Sequence, residues 1–267
     1  MKSLDEGIIT KAITDRYFEK FKDCIDLDVA IVGAGPSGMT AAMMLSGQGY
    51  KVAIFERKLS MGGGMWGGGM TFNFIVVQEE GKRILEEIGL ELREYEANYY
   101  TVDAVAATTT LASKACLAGT RVFNCVSVED TVIRHENSEK KVTGLVINYG
   151  PVELSGLHVD PLMIKTKFVI DATGHDTELL HTLVRKNDIE LNTPSGNIEG
   201  EQSMWAEQAE SNTVNNTKEV FPGVYVTGMA ANACFGSYRM GPIFGGMLLS
   251  GEKAALEIGS RLKNKDY

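Results

Sequence analysis

The sequence predicts an α/β fold with a central parallel β-sheet, and three segments carry that prediction. Each is a short apolar run that ends in a glycine turn: AIVGAG (30–35), VIDATG (169–174) and VYVTGM (224–229). Continuous apolar runs are typical of parallel strands that are buried on both faces. Because the carboxyl ends of such strands meet at one edge of the sheet, we expect all three turns to converge there.

The stretch from Leu27 to Arg57 carries the clearest motif. It reads as strand, glycine turn, helix and second strand, and Gly33, Gly35 and Gly38 form G-x-G-x-x-G. The first glycine permits a sharp turn, the second lets backbone approach a pyrophosphate, and the third lets the helix pack on the strand. The amides at the helix N-terminus then face the phosphates.

Glu56 ends the second strand, where its carboxylate can accept both hydroxyls of an adenosine ribose. Together with the glycine turn, this acid predicts an adenine dinucleotide as ligand. The alternative is a βαβ unit whose glycine-rich turn binds nothing.

The remaining elements follow from apolar periodicity and turn residues. An N-terminal amphipathic helix, with Ile8, Ile9, Ile13, Tyr17 and Phe21 on or near one face, is expected to dock on its own domain or on a neighbouring subunit. The glycine-rich segment 61–70 either folds over the ligand or is a flexible loop. We further predict helices at 77–88, 109–118 and 242–262, a strand at 121–126, a hairpin of 128–135 with 142–149, and an exposed polar excursion at 191–219.

These elements predict one dinucleotide-binding domain over residues 1–267, with the helical arm and a small β insertion around 127–150. The net charge of −9 disfavours nucleic acid as the main partner, since that affinity comes largely from basic groups. No apolar run reaches the roughly 20 residues that span a bilayer, and the N-terminus lacks a signal-peptide core. We therefore expect a cytoplasmic protein without a membrane partner, whose four cysteines are reduced and mostly buried.

A second cluster combines His158, Asp160 and His175 in an H-x-D…H pattern. Two imidazoles and one carboxylate match the ligand set of a non-haem Fe(II) site with open positions. If 158 and 160 lie on a strand, their side chains face the same side. The alternative is a capping histidine with a surface acid.

A third cluster centres on Arg239, which precedes a Gly-Pro pair and a helix. A guanidinium near a helix N-terminus suits a carboxylate or a phosphate. The alternative is an ordinary surface arginine.

The order of strands and glycine turns resembles the flavoproteins of the glutathione reductase type. The resemblance implies a glutathione-reductase-type dinucleotide-binding fold with a central parallel sheet and an inserted β-hairpin layer. In that group the third strand ends in Gly-Asp, and the aspartate holds the flavin ribityl chain. Here the matching pair is Gly228-Met229, and a methionine cannot do that, so we do not expect bound FAD.

Taken together, the segments VGAGPSGMTAA, FERKLSMGGGMWGGG, GLHVDP, ATGHD and YRMGPIFGGMLLSG resemble the thiamine thiazole synthase family. The resemblance spans nearly the whole chain. It implies an enzyme that makes an adenylated thiazole carboxylate, the precursor of the thiamine thiazole, from NAD, glycine and a sulfur source, using Fe(II). It also implies a homo-oligomer, an octamer in this family, with sites shared between protomers.

The resemblance also implies roles for individual residues. Those at the nucleotide would be Ser37, Glu56, Arg57, Gly64 and Val128, with Met229 in contact through its backbone. At the reacting groups, Asp160 and His175 would bind iron, and Arg239 would hold the glycine carboxylate. One possible arrangement takes the two iron ligands from adjacent protomers.

His158 departs from the eukaryotic branch, which has a sulfur-donating cysteine at this position. An imidazole carries no sulfur, so the chain resembles the archaeal branch, which takes free sulfide and turns over repeatedly. Because histidine titrates near neutral pH, His158 fits a proton shuttle, and it equally fits a third metal ligand. Asp176 is a candidate to orient His175. The alternatives are a flavin oxidoreductase of related fold, a non-catalytic NAD-binding module, and sugar-phosphate isomerisation as the main activity.

Overall fold

The computed structural model describes residues 3–136 and 139–267. Its helices are α1 (Glu6–Asp23), α2 (Pro36–Gly47), α3 (Glu79–Glu87), α4 (Ala104–Leu117), α5 (Gly150–Leu154), α6 (Glu178–Lys186), α7 (Ala206–Asn216), α8 (Met229–Cys234) and α9 (Gly245–Asn264). Its strands are β1 (Asp26–Val32), β2 (Val52–Glu56), β3 (Phe74–Val77), β4 (Arg93–Glu96), β5 (Tyr99–Asp103), β6 (Arg121–Asn124), β7 (Val126–Glu136), β8 (Glu139–Tyr149), β9 (Leu162–Asp171), β10 (Gln202–Met204), β11 (Lys218–Phe221), β12 (Val224–Val226) and β13 (Tyr238–Arg239).

The central sheet is mostly parallel, as the sequence predicts. Its main path runs β11-β12-β9-β1-β2-β6, and only the edge strand β11 pairs antiparallel along that path. Strands β12, β9 and β1 are neighbours, so their carboxyl ends lie side by side. The predicted convergence of the three glycine turns is therefore confirmed.

The predicted hairpin is present as β7 and β8, and it is longer than the sequence suggests. Residues 137 and 138 of its ENSEKK turn lie outside the described residues. Strand β8 also pairs antiparallel with the first half of β9. The hairpin is thus joined to the central sheet by hydrogen bonds, whereas the sequence suggested a separate small layer.

Helices cover both faces of the sheet. On one face, α2 and α9 pack on β1, β2 and β9 through a cluster that includes Ala41, Ile54, Phe168 and Ala255. On the other face, α6 contributes Leu180 and Leu183 to a cluster with Phe55 and Phe123. Burial of this apolar area is the main stabilising contribution to the sheet and holds its carboxyl edge in place.

Three predicted boundaries are wrong. Helix α3 begins two residues later than predicted, because Phe74–Val77 forms strand β3 of a separate antiparallel sheet, β3-β5-β4, that the sequence did not reveal. Helix α4 begins five residues earlier, at Ala104, where the Asp103 carboxylate accepts a hydrogen bond from the Ala106 amide at 2.8 Å and caps the helix. The C-terminal helix begins at Gly245, three residues after the predicted start.

The predicted exposed excursion at 191–219 is right only in part, because residues 192–208 are exposed or half-buried but the rest of the segment is not uniformly so. It contains β10 and α7, and α7 buries Ala209, Glu210 and Thr213. The polar composition of the segment did not predict the buried residues of α7, because a polar side chain can be buried when it has a hydrogen-bond partner. Asn232, for example, donates to Thr213 Oγ1 at 2.8 Å. Buried polar groups with hydrogen-bond partners are compatible with a core.

The N-terminal arm is a helix, as predicted, and its contacts with the central sheet come from Tyr17, Lys20 and Phe21 near its C-terminal end. The Phe21 ring packs edge-on against Phe123 with centroids 5.8 Å apart. Further from the domain, Ile8 is 68% exposed and Ile13 is 64% exposed. One chain therefore leaves most of the apolar face of α1 uncovered.

All four cysteines are free thiols, and two of them are buried. Cys24 and Cys234 lie in the core, whereas Cys125 is half-buried and Cys116 is exposed, so the expectation of mostly buried cysteines holds for half of them. Burial raises the pKa of Cys24 to about 11 and that of Cys234 to about 12. In the described part of the chain, no helix has the length and apolar character needed to cross a membrane.

Glu210 is a buried acid on α7 whose carboxylate faces the first residues of α9. Its side chain is 9% exposed, and its Oε2 atom has no hydrogen-bond partner among the described residues. Burial raises the pKa of this carboxyl group to about 7. As the pH rises from about 4.5 to about 7, the unfolded chain ionises first, so Glu210 makes stability fall across that window.

We predict that Glu210→Gln is more stable than the wild type above pH 7, by about 3 kcal/mol, and that the advantage disappears below pH 4.5. The amide fills the same space and never has to ionise. Urea unfolding at pH 5 and pH 8 measures the difference. Glu207→Gln, an exposed change on the same helix, is the control, and a parallel pH dependence in Glu210→Gln and wild type would contradict the prediction.

Candidate nucleotide and metal site

A cavity of about 1080 Å³ opens at the carboxyl edge of the sheet. That volume is at the upper end of the range for small-molecule sites and accommodates a dinucleotide. The cavity is bordered by the ends of β1, β2 and β9, by the start of β7 and by α6. The predicted site residues that line it are Gly33, Glu56, Arg57, Gly64, Val128, His175 and Arg239.

The glycine turn after β1 has the geometry that the motif predicts. Gly33 has φ +97°, and a Cβ atom there would lie 2.5 Å from the Ala172 carbonyl oxygen. No other residue fits this position. A Cβ atom on Gly35 would meet nothing closer than the Ala172 carbonyl oxygen at 4.0 Å, so packing within the chain does not itself require a glycine at this position.

Helix α2 starts directly after this turn and has Pro36 at its first position. No side chain caps its N-terminus within the described structure. The first amides of a helix need acceptors, and the helix dipole favours negative charge there. The uncapped N-terminus therefore suits a pyrophosphate.

Glu56 is buried at the end of β2, and its carboxylate is held by two backbone amides. Ala34 N donates to Oε2 and Lys58 N donates to Oε1, each at 2.8 Å. Each carboxylate oxygen has two acceptor sites, so both oxygens retain capacity for ribose hydroxyls. The acid is thus pre-oriented beside the glycine turn.

Arg57 lines the cavity but is already paired. Its guanidinium donates to the Glu178 carboxylate at the start of α6 and lies 3.6 Å from an Asp176 oxygen. Asp176 therefore contacts Arg57. In the described residues it makes no hydrogen bond to the ring of His175, the residue that it was predicted to orient.

The glycine-rich segment 61–70 covers part of the turn. It contains a 3-10 turn at Gly63–Gly67, and a Cβ atom on Gly63 would lie 3.2 Å from Gly35 Cα. A Cβ atom on Gly64, which lines the cavity, would meet nothing within 4 Å. The close approach of Gly63 to Gly35 favours the predicted role of a ligand-covering segment over that of a merely flexible loop.

His175 sits in a short turn, Gly174–Asp176, that a buried acid anchors. Asp171 is fully buried and accepts hydrogen bonds from the Thr173 amide, the Thr173 hydroxyl and the Leu180 amide. Burial raises the pKa of Asp171. The hydroxyl of Thr173 in turn accepts from the Glu178 amide at 2.9 Å. These bonds fix the path of the chain through His175.

The His175 ring contacts a carboxylate that the sequence did not single out. Its Nδ1 lies 2.7 Å from Glu201 Oε1. Nε2 has no protein partner in the described chain and belongs to a residue that lines the cavity. A histidine held in this way can offer Nε2 to a metal or to a reacting proton.

Arg239 lies in β13 and also lines the cavity. Unlike Arg57, its guanidinium has no ion-pair or hydrogen-bond partner in the described residues. An exposed, unpaired guanidinium at a cavity wall is available to bind a ligand carboxylate or phosphate. This placement supports the binding interpretation over that of an ordinary surface arginine.

His158 and Asp160 lie elsewhere. Both are exposed in the irregular segment 155–161 that leads into β9, and neither lines the cavity. The argument that they share one face of a strand is therefore wrong, because β9 begins only at Leu162. Nor do three or more His, Cys, Asp or Glu side chains come together as a metal site anywhere in residues 3–136 and 139–267.

The donor set of one chain thus fits a metal only in part. His175 lines the cavity and has one ring nitrogen without a partner in the described residues, and its other nitrogen has the carboxylate contact that metal-bound histidines usually make. The acidic ligand has to come from Asp160 of a second copy if the predicted pair is to form.

Four other predicted residues do not line the cavity. Ser37 is 4% exposed, and its Oγ lies 3.3 Å from Thr227 Oγ1. Gly35 lies in the glycine turn and Gly38 in the first turn of α2, and neither is among the residues that line the cavity. Met229 is buried at the start of α8, where the preceding Gly228 amide donates to Ser250 Oγ. The side chains of Ser37 and Met229 are therefore not placed at the cavity.

Sequence reasoning missed Glu201, Glu178 and Asp171. Asp171 ends the VIDATG strand and carries a recognisable signal, since an acid before a turn often accepts turn amides. Glu201 and Glu178 have no recognisable sequence signal, because each is far in sequence from its partner. Glu201 lies 26 residues from His175, and Glu178 lies 121 residues from Arg57.

The chain is similar to known proteins over most of its length. The Thi4 family model matches residues 10–244. A thiamine thiazole synthase of Solidesulfovibrio magneticus is 68% identical over 261 residues, covering 98% of this chain and 99% of that protein.

Solved structures show the same likeness. The crystal structure of Thermovibrio ammonificans THI4 matches with a TM-score of 0.95 at 55% identity and covers 98% of this chain and 100% of that one. A geranylgeranyl bacteriochlorophyll reductase-like protein of Thermoplasma acidophilum matches with a TM-score of 0.52 at 15% identity, covering 91% of this chain and 80% of that one, which shows a shared fold alone.

The family model spans most of the chain, and the relatives match nearly its full length. The resemblance drawn from the glycine turn, the H-x-D…H pattern and the Arg239 segment is therefore confirmed. This chain belongs to the Thi4 family, the thiamine thiazole synthases.

Proposed function

We propose that the chain makes the adenylated thiazole carboxylate precursor of thiamine from NAD, glycine and sulfide, with Fe(II) as its metal. The observation that carries the proposal is that one cavity is lined both by residues suited to bind an adenine nucleotide and by residues suited to bind the reacting groups. It contains the glycine turn and Glu56 for an adenine nucleotide, and His175 and the unpaired Arg239 for the reacting groups.

The nucleotide half follows from the uncapped α2 N-terminus and from Glu56. The amides at the start of α2 bind the pyrophosphate, and the Glu56 carboxylate accepts from the adenosine ribose hydroxyls. The adenine half thus stays in place while nicotinamide leaves the other ribose. Such anchoring at a remote part of the substrate keeps the reacting sugar in the cavity.

The reacting half uses Arg239 and His175. The Arg239 guanidinium holds the glycine carboxylate, which leaves the glycine amine free to form an imine with the opened sugar of ADP-ribose. Isomerisation of that adduct requires proton transfers. His158 of a second copy fits a shuttle for them and equally fits a third ligand.

Fe(II), held by His175 and by Asp160 of a second copy, would supply a template and a Lewis acid for sulfide addition. Two observations support a shared site. Asp160 has no side-chain partner in the described chain, and the exposed residues around it include Leu154, Leu157, Val159 and Leu162. An exposed apolar segment of this kind suits burial against another protomer, which supports the homo-oligomer, an octamer, that the family resemblance implies.

The positions of the cysteines support free sulfide as the sulfur source. None of the four cysteines lines the cavity in the described structure, and Cys24 and Cys234 are buried in the core. His158 replaces the sulfur-donating cysteine, which supports the archaeal, sulfide-using branch of the family. We also propose that the fold is of the glutathione reductase type and that the protein is cytoplasmic.

The other candidate functions are less well supported. Met229 is buried where a flavin-binding aspartate would be needed, which disfavours a flavin oxidoreductase. A non-catalytic NAD-binding module would have no use for the unpaired Arg239 and the oriented His175. Sugar-phosphate isomerisation alone would not need a site for glycine.

Mass spectrometry of the small molecules released from purified protein tests the function directly. We expect an adenylated thiazole or an ADP-ribose adduct of glycine, and no stoichiometric flavin in the spectrum of the denatured supernatant. A flavin band near one equivalent would overturn the proposal and support the oxidoreductase.

We predict that Glu56 selects NAD over NADP, because its carboxylate accepts from two ribose hydroxyls and repels a 2′-phosphate. Glu56→Gln should weaken ADP-ribose binding by about 10- to 100-fold, since hydrogen bonds to charged groups contribute about 1.5–3 kcal/mol. Isothermal titration calorimetry with ADP-ribose and its 2′-phosphate measures both effects. Equal wild-type affinity for the two ligands would contradict the assignment.

We predict that Asp160→Ala and His175→Ala are each inactive and that mixing them restores activity. If each site combines His175 of one protomer with Asp160 of another, mixed pairs contain one intact site, so random mixing should recover about a quarter of wild-type activity. The measurement is product formed after the two variants are dissociated and reassembled together. The mixture remaining as inactive as either variant alone would place both residues on one chain or outside the site.

We predict that the wild type forms product only with added sulfide and Fe(II), and for more than one turnover per chain. Intact-mass analysis after reaction should show an unchanged chain. A cysteine that donated its sulfur would become dehydroalanine, with a loss of about 34 Da. That loss in step with product, without added sulfide, would overturn the sulfide assignment.

A further inference from the structure

We propose that Glu201 is the positioning residue of His175: it holds the Nδ1–H form of the ring and thereby directs Nε2 toward the metal. This inference rests on the proposed function, because it takes His175 as a metal ligand. It adds a residue for which the sequence motifs suggest no role.

The contact itself is short and directional. His175 Nδ1 and Glu201 Oε1 are 2.7 Å apart, which is the distance of a charge-assisted hydrogen bond. A carboxylate is an acceptor only, so a bond to it requires the proton on Nδ1. In the neutral ring the lone pair is then on Nε2, the nitrogen that has no protein partner in the described chain. A neutral, unconstrained imidazole would exchange between its two forms.

The backbone on both sides of Glu201 is anchored. The Gly200 amide donates to the Ala233 carbonyl at 3.0 Å, and the Gln202 amide donates to the Ser237 carbonyl at 2.8 Å. The Glu201 carboxylate therefore projects from a segment that is tied to the end of α8 and to the start of β13. It belongs to the supporting structure and not to a mobile loop.

The same segment also carries the position of Arg239. Strand β10 follows Glu201 directly and pairs in parallel with β13, with Met204 opposite Arg239. The Trp205 amide donates to the Arg239 carbonyl at 3.1 Å. One two-stranded ribbon thus holds the residue that orients His175 and the residue that binds the glycine carboxylate.

The competing carboxylate is Asp176, the immediate neighbour of His175. Its Oδ2 lies 3.6 Å from Arg57 Nη2, so it is engaged on the nucleotide side of the turn. Glu201 is therefore the one carboxylate in the described structure that contacts the His175 ring. Partners of this kind typically change metal affinity by about 10- to 100-fold when they are removed.

The first test is anaerobic Fe(II) affinity of the full-length protein, measured by chelator competition, with ADP-ribose affinity and Tm from the same samples. Glu201→Ala should weaken Fe(II) binding by about 10- to 100-fold and leave ADP-ribose binding within about twofold. Glu201→Gln keeps a neutral acceptor and should show a smaller loss, since charge-assisted bonds are roughly twice as strong. The matched control is Glu199→Gln, whose carboxylate contacts the Ser195 amide and not the histidine.

The second test needs no metal. Nitrogen-15 shifts of the metal-free protein, with His175 assigned by comparison with His175→Asn, report which ring nitrogen carries the proton. We expect the Nδ1–H form in the wild type and in Glu199→Gln, and a shift toward the Nε2–H form in Glu201→Ala. A merely structural role of Glu201 would change Tm and leave this distribution unchanged.

Several outcomes would overturn the inference. Wild-type Fe(II) affinity in Glu201→Ala would do so, as would the same protonated nitrogen in both proteins or an equal loss in Glu199→Gln. If His175→Ala loses Fe(II) while Glu201→Ala keeps it, only this inference fails. If the wild type binds no Fe(II), or His175→Ala keeps it, the metal assignment in the proposed function fails and the inference fails with it.

Discussion

The close approach of two strand ends is the constraint on which the site depends. β1 and β9 are parallel neighbours, and the turn after β1 passes so near the end of β9 that a Cβ atom on Gly33 would lie 2.5 Å from the Ala172 carbonyl oxygen. A glycine at this point therefore brings two turns together that are about 140 residues apart in sequence. One turn leads into the uncapped N-terminus of α2, and the other carries His175.

Two buried acids, Glu56 and Asp171, hold the turns at these strand ends in position. Glu56 ties the end of β2 to the first turn through the Ala34 amide, and Asp171 ties the second turn through Thr173 and Leu180. Asp171 is fully buried, so its desolvation is costly, and three hydrogen bonds offset that cost. Rigid support of this kind is what a reaction that positions several small molecules requires.

The cations of the cavity differ in what they can do. Arg57 is held by Glu178 and Asp176, whereas Arg239 has no partner in residues 3–136 and 139–267. Both are arginines at a cavity wall, and their sequence contexts suggested ligand contact for each. Only the unpaired one has its full charge and donor geometry available for a carboxylate. The distinction matters because a paired guanidinium must break existing bonds before it can bind a ligand.

Local signals determined much of this protein. The glycine turn, the acid after β2 and the apolar runs before each turn predicted the parallel sheet and its ligand edge, because these features act over a few residues. The polar stretch at 191–219 indicated exposure correctly for residues 192–208 and not for α7, where Thr213 is buried and accepts a hydrogen bond from Asn232. His158 and Asp160 do not share a face of a strand, because the segment that contains them is irregular and β9 begins only at Leu162. Composition does not reveal which partners the fold will supply.

Sequence by itself therefore determined the family, the parallel sheet and seven of the site residues that line the cavity, because each is encoded in a contiguous motif. Tertiary structure alone decided which side chains pair. It joined Glu201 to His175 and Glu178 to Arg57, and it left Asp160 on the surface outside the cavity. The physical reason is that a hydrogen bond depends on two side chains meeting within about 3 Å. When the partners are 26 or 121 residues apart, only the packed sheet and its helices determine whether they meet.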